Sequence, residues 1–280
     1  MATPTLTKHQ ISGSLGPILI DVRAGGRDSP RPAVILVHGF KGFKDWGVFP
    51  VLAERLARAG FVAVSINVSG SGFDDAGNSA WPERFGHNRF TAEVTDIHQV
   101  IEALAAGRLG VVGPSVIGLL GHSRGGGTTI LEAADNPLIR SLVSWAPIAH
   151  LDRWPGQVEE WRENGQVIVE NSRTGQKIPI FSDVLDDVEQ NRNGSLDIRA
   201  AAGRIEIPWL IIHGTADTAV PIEEGEALCA ASGRPSTELL RIEGGGHTFG
   251  GVHPWQGETP ELKIVLDRTV GWLGKSLTGR

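Results

Sequence analysis

Short apolar runs recur along the chain: AVILVHG at 33–39, VAVSINVSG at 62–70, VIGLLGHS at 116–123, SLVSWAPIA at 141–149 and PWLIIHG at 208–214. Each is rich in Val, Ile and Leu with little polar alternation. This predicts strands covered on both faces, and so a parallel sheet. Between them lie stretches of helical period at 48–60, 90–107 and 128–135, and a final amphipathic segment at 260–277 reads as a helix closing the sheet. Strand and helix take turns, so the pattern predicts an α/β chain with a mostly parallel, doubly wound sheet and right-handed crossovers. The first 25 residues, with HQISGS and ILIDVR around a Gly-Pro turn, predict an antiparallel hairpin at the sheet edge.

One interval breaks the alternation. Residues 150–204 are polar, carry Trp154 and Trp161, and show weak strand and helix signals. So long a stretch is not expected to be a structureless loop inside a compact domain. It is read as an inserted cap or lid on a core formed by 1–149 and 205–280.

Composition narrows the function classes. The chain has 280 residues, 40% hydrophobic and 21% charged, with a net charge of −6 and basic residues scattered rather than clustered. Neither nucleic acid nor an anionic membrane is an expected partner. Cys229 is the single cysteine, so no intrachain disulfide can form, and an inert thiol is the simplest reading. The N-terminus lacks an apolar run, and no stretch approaches the roughly 18 apolar residues of a membrane span. A cytoplasmic monomer or homodimer is expected.

The sharpest chemical signal is Gly121-His122-Ser123-Arg124-Gly125, a GxSxG spacing where an apolar strand meets a glycine-rich helix start. So tight a turn needs small residues beside the nucleophile and leaves the serine hydroxyl exposed above the sheet. A serine hydroxyl needs a base in reach and a group that fixes the base's tautomer. Asp217, in HGTAD after the strand PWLII, and His247, in GGGH after TELLRIE, both fall at the carboxyl ends of predicted strands. Acyl transfer also needs donors for an oxyanion. Arg124 offers one backbone N–H from a helix start, and Phe40, in His38-Gly39-Phe40 after an earlier strand, offers the second.

HGF, GHSRGG, HGTADTAVP and GGGHTF, in that order over most of the chain, resemble the α/β-hydrolase superfamily. The chain is similar to its esterase branch of cinnamoyl (feruloyl) esterases, dienelactone hydrolases and prolyl-oligopeptidase-like catalytic domains. The resemblance implies the α/β-hydrolase fold, Ser123, Asp217 and His247 as triad, Phe40 and Arg124 as oxyanion amides, and a lid after the sixth strand. Cinnamoyl esterases usually have Gln where this chain has Arg124, and dienelactone hydrolases proper carry a cysteine nucleophile. The expected activity is hydrolysis of small to medium carboxylic esters without metal or organic cofactor. A peptidase or amidase and a non-catalytic binding protein are the alternatives.

Other residues receive plainer readings. His38 and His213 orient loops, His122 packs beneath the elbow, His98 is an ordinary helix residue, and His9 and His87 have no partner motif. His150 could touch substrate at the start of the cap. His253 is the rival base, although the following proline restricts it. Asp152 is the rival acid. Asp183, Asp186 and Asp187 form a solvated acidic face rather than a metal site. SGSGFDDAG (69–77) lacks the register of a phosphate loop and fits a loop beside the site. Trp154 and Trp161 could equally line the substrate pocket or anchor the cap.

Overall fold

A computed structural model of the protein describes residues 3–170 and 175–279; residues 171–174 of the expected cap lie outside that description. Ten strands and nine helices are found among the described residues. In chain order they are β1 (Thr5–Gly13), β2 (Gly16–Ala24), β3 (Ala33–Val37), α1 (Phe49–Arg58), β4 (Val62–Asn67), α2 (Pro82–Gly86) and α3 (Phe90–Ala105). Then come β5 (Ile117–His122), α4 (Arg124–Asp135), β6 (Ile139–Trp145), α5 (Val158–Asn164), β7 (Gln166–Glu170) and β8 (Lys177–Phe181). The chain ends with α6 (Asp183–Asn191), α7 (Ile198–Arg204), β9 (Trp209–Gly214), α8 (Ile222–Ser232), β10 (Thr237–Ile242) and α9 (Pro260–Thr278).

Eight strands form one sheet in the order β1-β2-β4-β3-β5-β6-β9-β10. β1 and β2 pair antiparallel as the edge hairpin, β2 runs antiparallel to β4, and the remaining pairs are parallel. β3 shows why these strands read as unbroken apolar runs. Ala33, Ile35 and Val37 enter one core while Val34 and Leu36 enter the other, so both faces of the pleat are dry. Helices α3, α4 and α7 cover the first face, and α1 and α9 cover the second. This is the α/β-hydrolase fold that the sequence motifs imply. Among the described residues no helix is long and apolar enough to cross a membrane.

The interval 150–204 divides in two. Its last helix, α7, buries Ile198, Ala201 and Ala202 in the main core, whereas α5, β8 and α6 gather around a small separate cluster of Trp161, Ile178, Ile180, Val184 and Leu185. Phe85 of α2 joins that cluster, and Phe40 and Trp154 pack against it. β7 and β8 pair as a hairpin of their own, off the main sheet.

Asp187 and Asp183 of α6 do not belong to a solvated face, which corrects the sequence reading for these two, whereas Asp186 stays half-exposed. Asp187 is 7% exposed and accepts hydrogen bonds from the Thr91 N–H (3.1 Å) and hydroxyl (2.5 Å). Asp183 receives His87 Nδ1 (3.0 Å) and Arg89 (3.3 Å), and Asp186 pairs with Arg162 within α5. These carboxylates tie α6 to α3 and α5, and they supply the partner that His87 lacked in sequence. His9 meets the Thr7 hydroxyl at 2.9 Å, and His98 meets Glu132 at 2.9 Å.

Candidate active site

Ser123 stands between β5 and α4 with φ 56° and ψ −119°, a backbone conformation that L residues rarely adopt. The surroundings hold it there: its N–H donates to Trp145 O (2.8 Å) and its carbonyl accepts from Gly127 N–H (3.1 Å). The helix folds back so closely that a Cβ on Gly125 would run into the His38 carbonyl. A Cβ on Gly39 would lie 3.0 Å from Ser123 Cβ. Close backbone approach therefore excludes a side chain at Gly125 and crowds one at Gly39, where the turn after β3 meets the elbow. Arg124 opens α4, so its N–H is one of the amides that helix geometry leaves without an intrahelical partner.

The loops after β9 and β10 are bonded to each other through Ala216 N–H to Gly245 O (3.0 Å) and Gly244 N–H to the Thr215 hydroxyl (2.9 Å). This brings His247 Nδ1 to 2.7 Å from Asp217 Oδ2. Asp217 Oδ1 accepts the N–H groups of Ala219 (2.9 Å) and Val220 (3.0 Å), and His213 Nε2 lies 3.5 Å from Oδ2. Burial opposes ionisation of Asp217. Hydrogen bonds from His213 and His247 outweigh it and hold the carboxyl well below the ordinary carboxylate range. An ionised Asp217 on Nδ1 fixes the His247 tautomer and leaves its other ring nitrogen to accept a proton.

Ser123 and His247 line one cleft with two lobes. The larger, about 540 Å³, is walled by Phe40, Phe90, Trp154 and Ile148, together with Lys41, Arg124 and Arg153. The smaller, about 270 Å³, runs over Gly39, Trp46, Phe49, His122 and Thr248. Arg124 is 5% exposed in its side chain, 2.8 Å from Glu93, and sits 3.8 Å above the Phe90 ring. Burial pushes the Glu93 carboxyl up, while Arg124 and Asn88 favour its charge. Arg153 donates to Glu224 (2.6 Å) and Ala219 O (3.0 Å).

The remaining candidates separate. Trp154 lines the larger lobe, whereas Trp161 is 0% exposed within the small cluster beneath it, 5.4 Å from Trp154 between ring centroids. Trp154 therefore lines the lobe and packs on the cluster at once, whereas Trp161 lies inside the cluster. His150 is not among the cleft residues; it lines a neighbouring depression, with Nε2 3.7 Å from Glu224. Asp152 pairs with Arg192 at 3.1 Å, and its side chain is 57% exposed. His253 accepts from Gly47 N–H through Nδ1 (3.1 Å) and packs between Phe43 and Trp46. His122 Nε2 lies 3.0 Å from the His247 carbonyl, and His38 Nδ1 lies 2.9 Å from Gly39 O. Loop 69–77 is set one layer back, with Phe73 stacked on Phe43 of the turn after β3.

Lys41, Phe90 and Arg153 are cleft residues that the sequence reading passed over. Lys41 adjoins the HGF turn and Arg153 adjoins Trp154, so adjacency was the available signal. Phe90 had none, because only the packing of α3 turns it toward Ser123.

Residues 28–189 match the family profile described as serine aminopeptidase, S33 (Hydrolase_4). The chain belongs to this family. The matched span carries the Gly39 turn and Ser123, while Asp217 and His247 lie beyond it. A relative in Paenarthrobacter nicotinovorans, 2,6-dihydropseudooxynicotine hydrolase, is 23% identical over 228 residues. That alignment takes in 78% of this chain, which spans about half (53%) of the relative. Among solved structures, Est1E from Butyrivibrio proteoclasticus with ferulic acid bound has a TM-score of 0.65 at 20% identity, over 98% of this chain and 96% of that one. A Mycobacterium tuberculosis puromycin-hydrolyzing peptidase has a TM-score of 0.68 at 18% identity, over 98% of this chain and 40% of that one. At these identities the S33 hydrolase shares the fold with both.

Proposed function

We propose that this S33-family hydrolase cleaves carboxylic esters through an acyl-enzyme on Ser123. The observation that carries the reading is the strained Ser123 turn sharing a cleft with a histidine whose Nδ1 is held 2.7 Å from a buried carboxylate. Ser123 Oγ attacks the ester carbonyl as His247 takes its proton. The tetrahedral oxyanion then collapses, the C–O bond breaks, and His247 returns the proton to the leaving alcohol. Water, deprotonated by His247, attacks the acyl-enzyme and frees the acid. Asp217 stabilises the imidazolium in both halves. The Phe40 and Arg124 amides receive the oxyanion, a contribution of about 10²–10³ in turnover per donor. The part of 150–204 preceding α7 acts as the roof of the larger lobe through Trp154.

Amide cleavage at a free N-terminus is the second reading, and the family description favours it. An aminopeptidase must hold an α-ammonium group, which calls for a carboxylate in the cleft. Among the described residues no Asp or Glu lines either lobe, and residues 1–2, 171–174 and 280 include none. Ester hydrolysis is therefore preferred.

The test is fluorophosphonate labelling followed by comparison of p-nitrophenyl acyl esters with aminoacyl anilides. An adduct on Ser123 and faster ester turnover are expected. Folded protein without an adduct would remove both catalytic readings, and faster anilide turnover would put the peptidase first.

A further inference from the structure

The larger lobe is lined by three basic side chains and by no acidic one, in a chain whose net charge is −6. Three of its walls are Lys41, Arg124 and Arg153, with aromatic rings between them. The two guanidinium groups are already positioned: Glu93 and Asn88 O stand behind Arg124, and Glu224 with Ala219 O stands behind Arg153. A guanidinium carries five N–H donors, so one carboxylate and one carbonyl leave part of each fork unused. Lys41 has less compensation. Its Nζ donates to Glu170 O at 2.8 Å, and among the described residues no carboxylate lies within ion-pair distance of it. Burial pushes this ammonium below the ordinary lysine range, with the Glu170 charge opposing, and Lys41 lines both lobes. Glu93 and Glu224 balance two of the three charges from behind, so the lobe offers an anion the unused N–H donors of both guanidinium groups and the Lys41 ammonium beside a low-polarity aromatic wall.

We infer that the substrate of the Ser123 cleft is an ester carrying a second, free carboxylate, which the larger lobe receives between Lys41, Arg124 and Arg153 while the aromatic walls cover the carbon body. The inference rests on the ester-hydrolase reading and adds the charge of the substrate to it. Hydrolysis proceeds as above, and the free carboxylate takes no part in bond making. It orients the ester carbonyl over Ser123, and binding energy from such a remote group can be used at the reacting centre.

The experiment compares kcat/KM for methyl half-esters of dicarboxylic acids with that for neutral methyl esters of matched carbon skeleton, in aliphatic and aryl series. Wild-type protein is expected to prefer the charged member of each pair by about 10- to 100-fold, the range of one or more charge-assisted hydrogen bonds. That ratio should fall toward unity in Lys41→Met and in Arg153→Met, and it should shrink as salt is added. Lys41 lies on an accessible turn, so its variant tests the charge even if Arg153→Met fails to fold. Equal or faster cleavage of the neutral esters by wild-type protein would overturn the inference and leave the ester reading standing. Absence of turnover on every ester in both series would overturn the two together.

Discussion

The elbow around Ser123 and the interval 150–204 face each other across one cleft, yet different forces hold them. At the elbow the constraint is backbone against backbone: a positive φ, a helix start folded onto the His38 carbonyl, and a strand terminus bonded to Trp145. Across the cleft the constraint is side chain against side chain: Trp161 buried among Ile178, Ile180 and Val184, with ion pairs from α6 to its neighbours. Backbone constraints admit few residue types and leave a motif. Side-chain packing accepts many apolar combinations of suitable volume and leaves only a weak signal.

Substitutions can sharpen this contrast. Ser123→Ala should cost the most, about 10⁴-fold or more in ester turnover with thermal unfolding little changed, since it removes the nucleophile and leaves the turn. Asp217→Asn should lower turnover by about 10³–10⁴-fold, because the amide no longer fixes the His247 tautomer; near wild-type rates would reject the acid assignment. On the opposite wall Trp161→Ala should act on stability, by about 3–5 kcal/mol in urea unfolding. If it instead changed turnover at unchanged stability, the division of labour between the two tryptophans would be wrong.

Acid should weaken the elbow side as well. Burial holds His38 down to about 4 and His122 down to about 3, both from 6.5. Below pH 6.5 the unfolded chain takes up these protons and the native chain does not, so stability falls as pH drops toward about 4. The slope is at most about 1.4 kcal/mol per pH unit for each imidazole, and denaturant midpoints across that range will measure it. The smallest effect belongs to Asp152→Asn. Its exposed pair with Arg192 should be worth under about 1 kcal/mol, with turnover unchanged.

Much of the architecture could be read in advance, and so could the positions of the proposed catalytic groups. The five apolar runs are all strands, because a parallel strand dry on both faces must be apolar throughout. Ser123 and Asp217 stood out because each follows such a strand next to a glycine, and His247 because three glycines separate it from the strand-like TELLRIE. His150 was less legible. It begins the interval 150–204 but lies beside Glu224, a position decided by how the segment after β6 leaves the sheet. The acidic run in α6 misled for a similar reason, since polarity in sequence does not reveal that Asp187 meets Thr91 across a helix interface.

By itself the sequence determined the α/β alternation and the places of the proposed nucleophile, acid and base at the ends of strands, since each depends on local backbone geometry and strand order. Only the tertiary structure decided that Trp154 faces the cleft while Trp161 is buried, that Asp152 is spent on Arg192, and that Lys41, Arg124 and Arg153 share one lobe. Those outcomes depend on which side chains meet across distant segments, and neither periodicity nor spacing encodes that.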